Sequence, residues 1–91
     1  MKYRFRAAKG FWRSWSKLSE AQRQAARQAF QVFRTNPFDA RLRAHKIHKL
    51  SAYYNRTIYA VDIASDLRAA FYIEGNTVWT VDIGTHDIYR S

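Results

Sequence analysis

Residues 67–83, which read LRAAFYIEGNTVWTVDI, contain two runs of alternating apolar residues on either side of a tight-turn signal. Glu74-Gly75-Asn76 supplies the turn, because Gly or Asn tolerates the positive φ that a short hairpin loop requires. This stretch therefore predicts a β-hairpin. In its first strand, Leu67, Ala69, Phe71 and Ile73 share one face, and in its second strand, Trp79, Val81 and Ile83 share one face.

The segment before this hairpin predicts at least one more strand. Residues 57–63 alternate in the same way, and Ala64-Ser65-Asp66 marks a second turn. Short turns join neighbouring strands in antiparallel order, so these strands are expected to form a three-stranded meander. A fourth strand is expected where the basic segment becomes extended near His45.

The first half of the chain predicts one strand and two helices. Residues 2–7 alternate between cations and apolar side chains, as a strand with one buried face does. Residues 8–18 then change to helical spacing. Ser19 and Gln22 form a capping-box signature for a second helix, which the Asn36-Pro37 step ends. The order predicts an α+β fold, β-α-α-β-β-β(-β), whose helix hairpin covers one face of the sheet and leaves the other for function.

The composition is that of a single domain over residues 1–91. Hydrophobic residues make up 47% of the chain, which is enough for a core and too much for a disordered protein. The absence of Cys excludes disulfides and thiolate metal sites. No stretch is apolar over the length that spans a bilayer, and the alternating N-terminus is unlike a signal peptide. We therefore expect a cytoplasmic protein.

The charge is divided unevenly along the chain. Residues 1–49 hold thirteen basic and two acidic residues, a net charge of +11, whereas residues 50–91 hold three and five, a net charge of −2. Such a layout predicts a surface for nucleic acid, an anionic membrane or an acidic protein. On the first strand the cations are either contacts for a phosphate backbone or protection for an exposed edge. The predicted RNA-binding set is Lys2, Arg4, Arg6, Arg41, Arg43, Lys46 and Lys49.

Groups that transfer protons lie outside the predicted helices. They are His45, His48 and His86, and histidine is the side chain most often used as an acid or base at neutral pH. His45-x-x-His48 is a poor metal pair, because Lys46 and Lys49 would repel a cation. RNA cleavage at neutral pH needs a base for the 2′-OH, cations for the charge on phosphorus and an acid for the 5′ oxygen. It requires no metal, and the sequence predicts no cofactor.

Asp66 and Arg68 lie on either side of the second turn and have two interpretations. They are either a turn-forming carboxylate and a surface cation, or a carboxylate that orients a histidine and a guanidinium that holds a phosphate. A tail rich in functional groups, from Thr85 to Arg90, follows the last strand after Gly84.

Four motifs together resemble the RelE/ParE superfamily of toxins from bacterial toxin–antitoxin pairs, in its mRNA-interferase branch. They are Asn36-Pro37, His45-Lys46-Ile47, Asp66-Leu67-Arg68-Ala69-Ala70-Phe71 and Ile83-Gly84-Thr85-His86-Asp87-Ile88-Tyr89, in the order found in that family. The resemblance implies a ribosome-dependent endoribonuclease that cuts mRNA and is silenced by an antitoxin. The implied partners are mRNA on the ribosome and an acidic or amphipathic antitoxin segment over the basic surface, with no membrane.

The resemblance also implies roles for individual residues. Arg68 would bind the phosphate, His86 would protonate the leaving oxygen and Tyr89 would hold a base. His45 or His48 would activate the 2′-OH, and this choice stays open because His48-Lys49-Leu50 shifts the motif.

Three further residues complete the implied site. Asp66 would tune the histidine that acts as the base, and Lys46 and Lys49 would contact the RNA backbone.

Two other functions fit the same fold and charge. A toxin of the ParE branch inhibits DNA gyrase, although that branch generally lacks the set of histidines and tyrosine found here. A basic RNA-binding module would use the same cations and cleave nothing.

Overall fold

The computed structural model describes residues 2–85 of the chain, and its elements follow the predicted order with one additional helix between the second and third strands. None of the helices in this part of the chain has the length and apolar character that crossing a membrane requires. The elements are β1 (Arg4–Ala7), α1 (Lys9–Trp15), α2 (Glu20–Thr35), a 3-10 turn (Ala40–Leu42), β2 (His45–Lys46), α3 (His48–Tyr54), β3 (Tyr59–Ala64), β4 (Leu67–Glu74) and β5 (Thr77–Gly84).

The strands form one five-stranded sheet with the order β1-β5-β4-β3-β2. Strands β2 to β5 are the predicted antiparallel meander, and Gly75 supplies the positive φ, 61°, in the turn between β4 and β5. Strand β1 pairs in parallel with β5 and forms one edge of the sheet. The predicted α+β fold is therefore confirmed, with a mixed sheet.

Helices α1 and α2 cover one side of the sheet, which we call the hairpin face. Phe11 from α1 and Ala26 and Phe33 from α2 are buried there with apolar side chains of β3, β4 and β5. The ring of Phe33 meets the fully buried ring of Phe71 edge to face, with 5.1 Å between centroids. This geometry is favourable for aromatic pairs, so the two rings anchor α2 to the central strand.

The capping box predicted at the start of α2 is present. The Ser19 hydroxyl accepts a hydrogen bond from the Gln22 backbone N–H at 3.1 Å, and the Gln22 side chain accepts one from the Ser19 N–H at 2.9 Å. Both contacts satisfy donors that a helix start leaves unpaired.

We expect Ser19→Ala to lower the free energy of unfolding by about 1 kcal/mol, because the replacement removes the side-chain acceptor of the cap. Urea unfolding followed by circular dichroism measures this loss. Ser19→Asp retains a capping oxygen and should keep most of the stability. Equal unfolding midpoints for Ser19→Ala and the unchanged protein would contradict the capping role.

The opposite side of the sheet, which we call the α3 face, is partly covered as well. Leu50 from α3 is buried against Ile58, Ala70 and Val81 in a second, smaller core. The face that the sequence analysis leaves for function therefore carries a helix that was not predicted. Helix α3 lies over its middle, because burying Leu50 stabilises a helix that would be too short to form alone.

The segment over residues 38–54 differs from the sequence prediction. A short strand forms at His45, as expected, but His48 begins α3 and so lies in a helix, whereas all three histidines were predicted to lie outside helices. The cations in this segment obscure the helical period. Asn55 ends α3 in the left-handed conformation, with φ of 56°, which Asn tolerates better than most residues.

A β-bulge in β5 changes the predicted faces of the last strand. The pairing with β4 shifts between Ala70 and Phe71, so that Val81 belongs to the α3 face and Ile83 to the hairpin face. The prediction that both share one face with Trp79 is therefore wrong, because an inserted residue shifts the alternation by one. Gly10 in α1 lies against this bulge, and a Cβ there would be 3.1 Å from the Val81 carbonyl oxygen.

Candidate functional site on the α3 face

An ion pair between neighbouring strands is the centre of the candidate site. Asp62 in β3 lies opposite Arg68 in β4, and Arg68 Nε donates to Asp62 Oδ1 at 2.9 Å. Arg68 NH1 also donates to the carbonyl oxygens of Ala64 at 3.0 Å and Leu67 at 3.2 Å. The Arg68 side chain is 15% exposed, so its guanidinium is held in a fixed position at the surface.

A second guanidinium meets the same carboxylate. Arg43 Nε lies 3.6 Å from Asp62 Oδ2, and its side chain is 78% exposed. Arg43 follows the 3-10 turn in the left-handed conformation, with φ of 54°, which is unfavourable for a residue with a Cβ. Unfavourable backbone of this kind is concentrated at functional sites. Arg43, Asp62 and Arg68 are called the Asp62 cluster below.

His45 lies beside the Asp62 cluster with one ring nitrogen free. It is exposed in β2 opposite Ala60, two residues before Asp62 on the same face of β3. Its Nδ1 is 3.0 Å from the Arg43 carbonyl oxygen. Because a carbonyl oxygen only accepts, this contact places the proton of the neutral ring on Nδ1 and leaves the lone pair on Nε2. His45 therefore has the tautomer that a general base requires.

Asp82 forms a second carboxylate site next to the bulge in β5. The Ser14 hydroxyl donates to Asp82 Oδ1 at 2.5 Å, and the Ile83 backbone N–H donates to the same oxygen at 2.9 Å. Burial raises the pKa of the nearby Tyr54 hydroxyl, and the charge of Asp82 adds to this increase. These contacts tie α1 to β5, so Asp82 has a structural role.

The predicted cations are divided between two edges of the sheet. Lys2, Arg4 and Arg6 lie at the β1 edge, whereas Arg41, Arg43, Lys46 and Lys49 lie near β2, at the opposite edge. Five strands separate these edges by about 19 Å. The basic residues therefore form two rims and not one continuous patch.

Two other cations at the β2 edge differ from Arg43. Lys46 differs in the direction of its side chain, and Arg41 differs in its ion-pair partner. Lys46 pairs with Tyr59, whose ring packs on the hairpin face, so Lys46 and the adjacent His45 point to opposite faces. Arg41 is paired with Asp39 at 2.9 Å. Hydrogen bonds from the Arg41 side chain and backbone lower the pKa of the Asp39 carboxyl group to about 2.

Three other predicted site residues lie apart from the cluster or outside the described chain. Asp66 is exposed in the turn between β3 and β4, and within residues 2–85 its carboxylate has no hydrogen bond or ion pair. His86 and Tyr89 lie outside the described residues.

The prediction missed Asp62, which contacts both arginines of the cluster. Its signal was a carboxylate and a guanidinium at facing positions across a short hairpin turn, a pairing that stabilises antiparallel strands. In the part of the chain that the structure describes, no three His, Asp or Glu side chains are grouped as a metal site requires.

A groove on the other side of the sheet contains different chemistry. It encloses about 750 Å³ between β1, α1 and α2, and its walls are mostly aromatic. Arg27 and Arg34 of α2 contribute cations to it, and Arg6 of the edge strand β1 also borders it. Its lining contains no histidine or carboxylate, so the groove is a surface for contact and not for proton transfer.

No family model matches the sequence, and no curated protein matches it either. Solved structures are similar in fold. A chain of the archaeal RelE-RelB complex from Pyrococcus horikoshii OT3 is 12% identical, with a TM-score of 0.69 over 93% of this chain and 96% of that one. A chain of the DinJ-YafQ complex from E. coli is 11% identical, with a TM-score of 0.63 over 96% and 97%.

A third structure is a copper-bound mutant toxin from Helicobacter pylori. It is 10% identical, with a TM-score of 0.62 over 94% of this chain and 97% of that one. At these identities the likeness is one of architecture, and it spans nearly the whole of each chain. The protein therefore has a RelE-like fold, as its four sequence motifs predicted.

Proposed function

We propose that the protein is the toxin of a type II toxin–antitoxin pair and acts as a ribosome-dependent mRNA endoribonuclease. The observation that carries this proposal is the position of His45 beside the Asp62 cluster, on the face that α1 and α2 leave uncovered. A base with a lone pair and two guanidiniums, of which Arg68 is fixed, are groups that metal-independent RNA cleavage can use. Acting on translated mRNA would place the protein in the cytoplasm.

In the proposed reaction, His45 Nε2 takes the proton of the 2′-OH and the 2′ oxygen attacks the adjacent phosphorus. Arg43 and Arg68 bind the non-bridging oxygens, whose negative charge increases in the transition state. The bond from phosphorus to the 5′ oxygen breaks, and His86 donates a proton to that oxygen. The products are a 2′,3′-cyclic phosphate and a 5′-OH. Tyr89 holds a nucleobase of the RNA. The roles of His86 and Tyr89 rest on the sequence motif alone.

The geometry favours His45 over His48 as the base. His48 starts α3, and its imidazole has no hydrogen bond or ion pair within residues 2–85. The imidazole of His45, by contrast, contacts the backbone of Arg43. The carboxylate of the proposed site is Asp62 and not Asp66. Its role differs from the one expected of Asp66, because Asp62 contacts the two guanidiniums and not the histidine.

We also propose an antitoxin as the protein partner. The RelE-RelB and DinJ-YafQ structures are each complexes of two proteins, which supports a second chain. An amphipathic acidic segment fits the surface of this protein. Its apolar side chains would meet the aromatic groove, and its carboxylates would meet Arg27 and Arg34.

The test is expression in bacterial cells without a partner gene, followed by mapping of mRNA ends and a measurement of DNA breaks. We expect growth arrest with new mRNA 5′ ends inside reading frames and intact DNA. The double variant His86→Ala/Arg68→Ala should grow normally. Arrest by this variant equal to that of the unchanged protein would refute the site assignment. DNA breaks with intact mRNA would indicate a gyrase inhibitor instead.

A further inference from the structure

Four side chains form a stacked row across the α3 face, at the end of the sheet away from the Asp62 cluster. The rings of Tyr72 in β4 and Trp79 in β5 face each other at a cross-strand pair, with centroids 6.4 Å apart and planes 18° from parallel. The Arg56 guanidinium lies 4.2 Å from the Tyr72 centroid, and that of Arg6 lies 6.0 Å from the Trp79 ring. We call Arg6, Trp79, Tyr72 and Arg56 the stacked row.

The stacked row is accessible and lies in a positive environment. Both rings are only half-buried, and Arg6 and Arg56 are exposed. Arg4 lies two residues before Arg6 on the same face of β1 and is also exposed. Glu74 is the acidic residue that contacts the row. Its carboxylate lies 3.5 Å from the Arg56 guanidinium, and both side chains are exposed. Such a pair contributes little free energy, so Arg56 can leave Glu74 at low cost.

Packing alone does not account for this arrangement. The core on this face is made by Leu50, Ile58, Ala70 and Val81, and Tyr72 only borders it. Trp79 belongs to neither buried cluster, so a large ring is kept at the surface with a cation over it. Alternating planar cations and aromatic rings next to free cations are the features with which proteins hold single-stranded nucleic acid.

The position of the stacked row relates it to the proposed site. Tyr72 is four residues from Arg68 along β4, and both residues lie on the α3 face. At about 3.4 Å per residue, the two are about 14 Å apart, a distance that a few nucleotides of an extended strand can span. Helix α3 contributes Leu50 to the core between them. One RNA strand bound at the Asp62 cluster could therefore continue to the row.

We propose that the stacked row is a second binding site for single-stranded RNA, separate from the site of cleavage. A base stacks on Trp79 or Tyr72, or on the guanidinium plane that covers each ring, and Arg4 and Arg6 bind the adjoining phosphates. The proposal rests on the proposed function for its choice of RNA. Stacking has no sequence preference of its own, so this site would give affinity and direction to the strand and leave base preference to other contacts.

The test uses the fluorescence of Trp79 to detect RNA bound at the stacked row. The variant Trp12→Phe/Trp15→Phe leaves Trp79 as the single tryptophan, and its fluorescence is titrated with a 2′-O-methyl uridine oligonucleotide of about ten nucleotides, which cannot be cleaved. We expect quenching of Trp79 by the stacked base. The matched control is Trp15→Phe/Trp79→Phe, which keeps only Trp12, 57% exposed on α1, and should show no quenching. Equal quenching in both proteins, or none in either, would overturn the proposal.

Affinity measured by fluorescence anisotropy of a labelled oligonucleotide provides the second readout. Trp79→Leu should weaken binding by about 5- to 150-fold, as the loss of one stacked base does, whereas Trp12→Leu should leave the affinity unchanged. Arg68→Ala should slow cleavage by roughly 10²–10³-fold and still show quenching of Trp79. Cleavage that fails in every assay while the row binds RNA would therefore reject the proposed function alone. Unchanged affinity of a folded Trp79→Leu protein would reject the second site alone.

Discussion

Arg68→Ala is expected to slow mRNA cleavage by roughly 10²–10³-fold, the loss typical for one group that stabilises transition-state charge. Arg68 is fixed by Asp62 and by two backbone carbonyl groups, so its charge is in place before the phosphate arrives. A mobile cation would have to be ordered during the reaction. The measurement is the single-turnover rate of cleavage on ribosomes programmed with a defined mRNA.

Two controls separate this effect from a loss of structure or of bulk charge. Arg68→Lys keeps the charge but loses the planar fork, and it should fall between alanine and the unchanged protein. Arg34→Ala removes one exposed cation from α2, on the hairpin side of the sheet, and should leave the rate unchanged. Thermal unfolding of each variant establishes that it is folded. Folded Arg68→Ala that cleaves at the original rate would remove Arg68 from the site.

Phe71→Ala is expected to have the largest effect on stability, a loss of about 3–5 kcal/mol in the free energy of unfolding. Phe71 has no exposed surface, and its ring contacts Phe33, Phe38 and Tyr59 with centroids 5.1, 5.8 and 5.4 Å away. The replacement therefore creates a cavity where α2 meets the central strand. Since small domains are stable by about 5–15 kcal/mol, this loss is a large part of the total.

Urea unfolding measures this loss, with two variants for comparison. Phe71→Leu fills most of the cavity and should cost less than the alanine replacement. Trp12→Ala removes a larger ring, but one that is 57% exposed, so its effect should be far smaller than that of Phe71→Ala. A loss below about 1 kcal/mol for Phe71→Ala would contradict its place at the centre of the core.

The cleavage and stability effects arise on opposite faces of one strand. Arg68 and Phe71 are three residues apart in β4, so their side chains point to opposite sides of the sheet. The hairpin face holds the chain together through Phe71, while the α3 face holds Arg68, mostly buried, in its ion pair with Asp62. Variants of Arg68 and Phe71 can therefore serve as controls for each other, because both residues lie in β4.

Local patterns predicted most of the elements and few of their contacts. The hairpin over residues 67–83 and the start of α2 at Ser19 depend on neighbours in sequence, through alternation and a capping box, so they could be predicted. Helix α3 could not be recognised, because its stability comes from Leu50 packing on Ile58 and not from a long amphipathic pattern. The bulge at Val81 reversed the predicted face of Ile83 for a similar reason.

The residues of the candidate site were also predicted only in part. Arg68 and His45 were chosen from motif and residue type, and the structure places them on one face. Asp62 was missed, because its importance comes from the register between β3 and β4 and from the turn that brings Arg43 back to the sheet.

The sequence by itself determined the class of fold, the uneven charge and the chemical groups available, because composition and short-range periodicity are local properties of the chain. Only the tertiary structure decided that the cations lie on two rims, that α3 divides the face between them, and that one carboxylate holds two arginines. Those features depend on strand order and register, which are fixed by contacts between residues far apart in sequence.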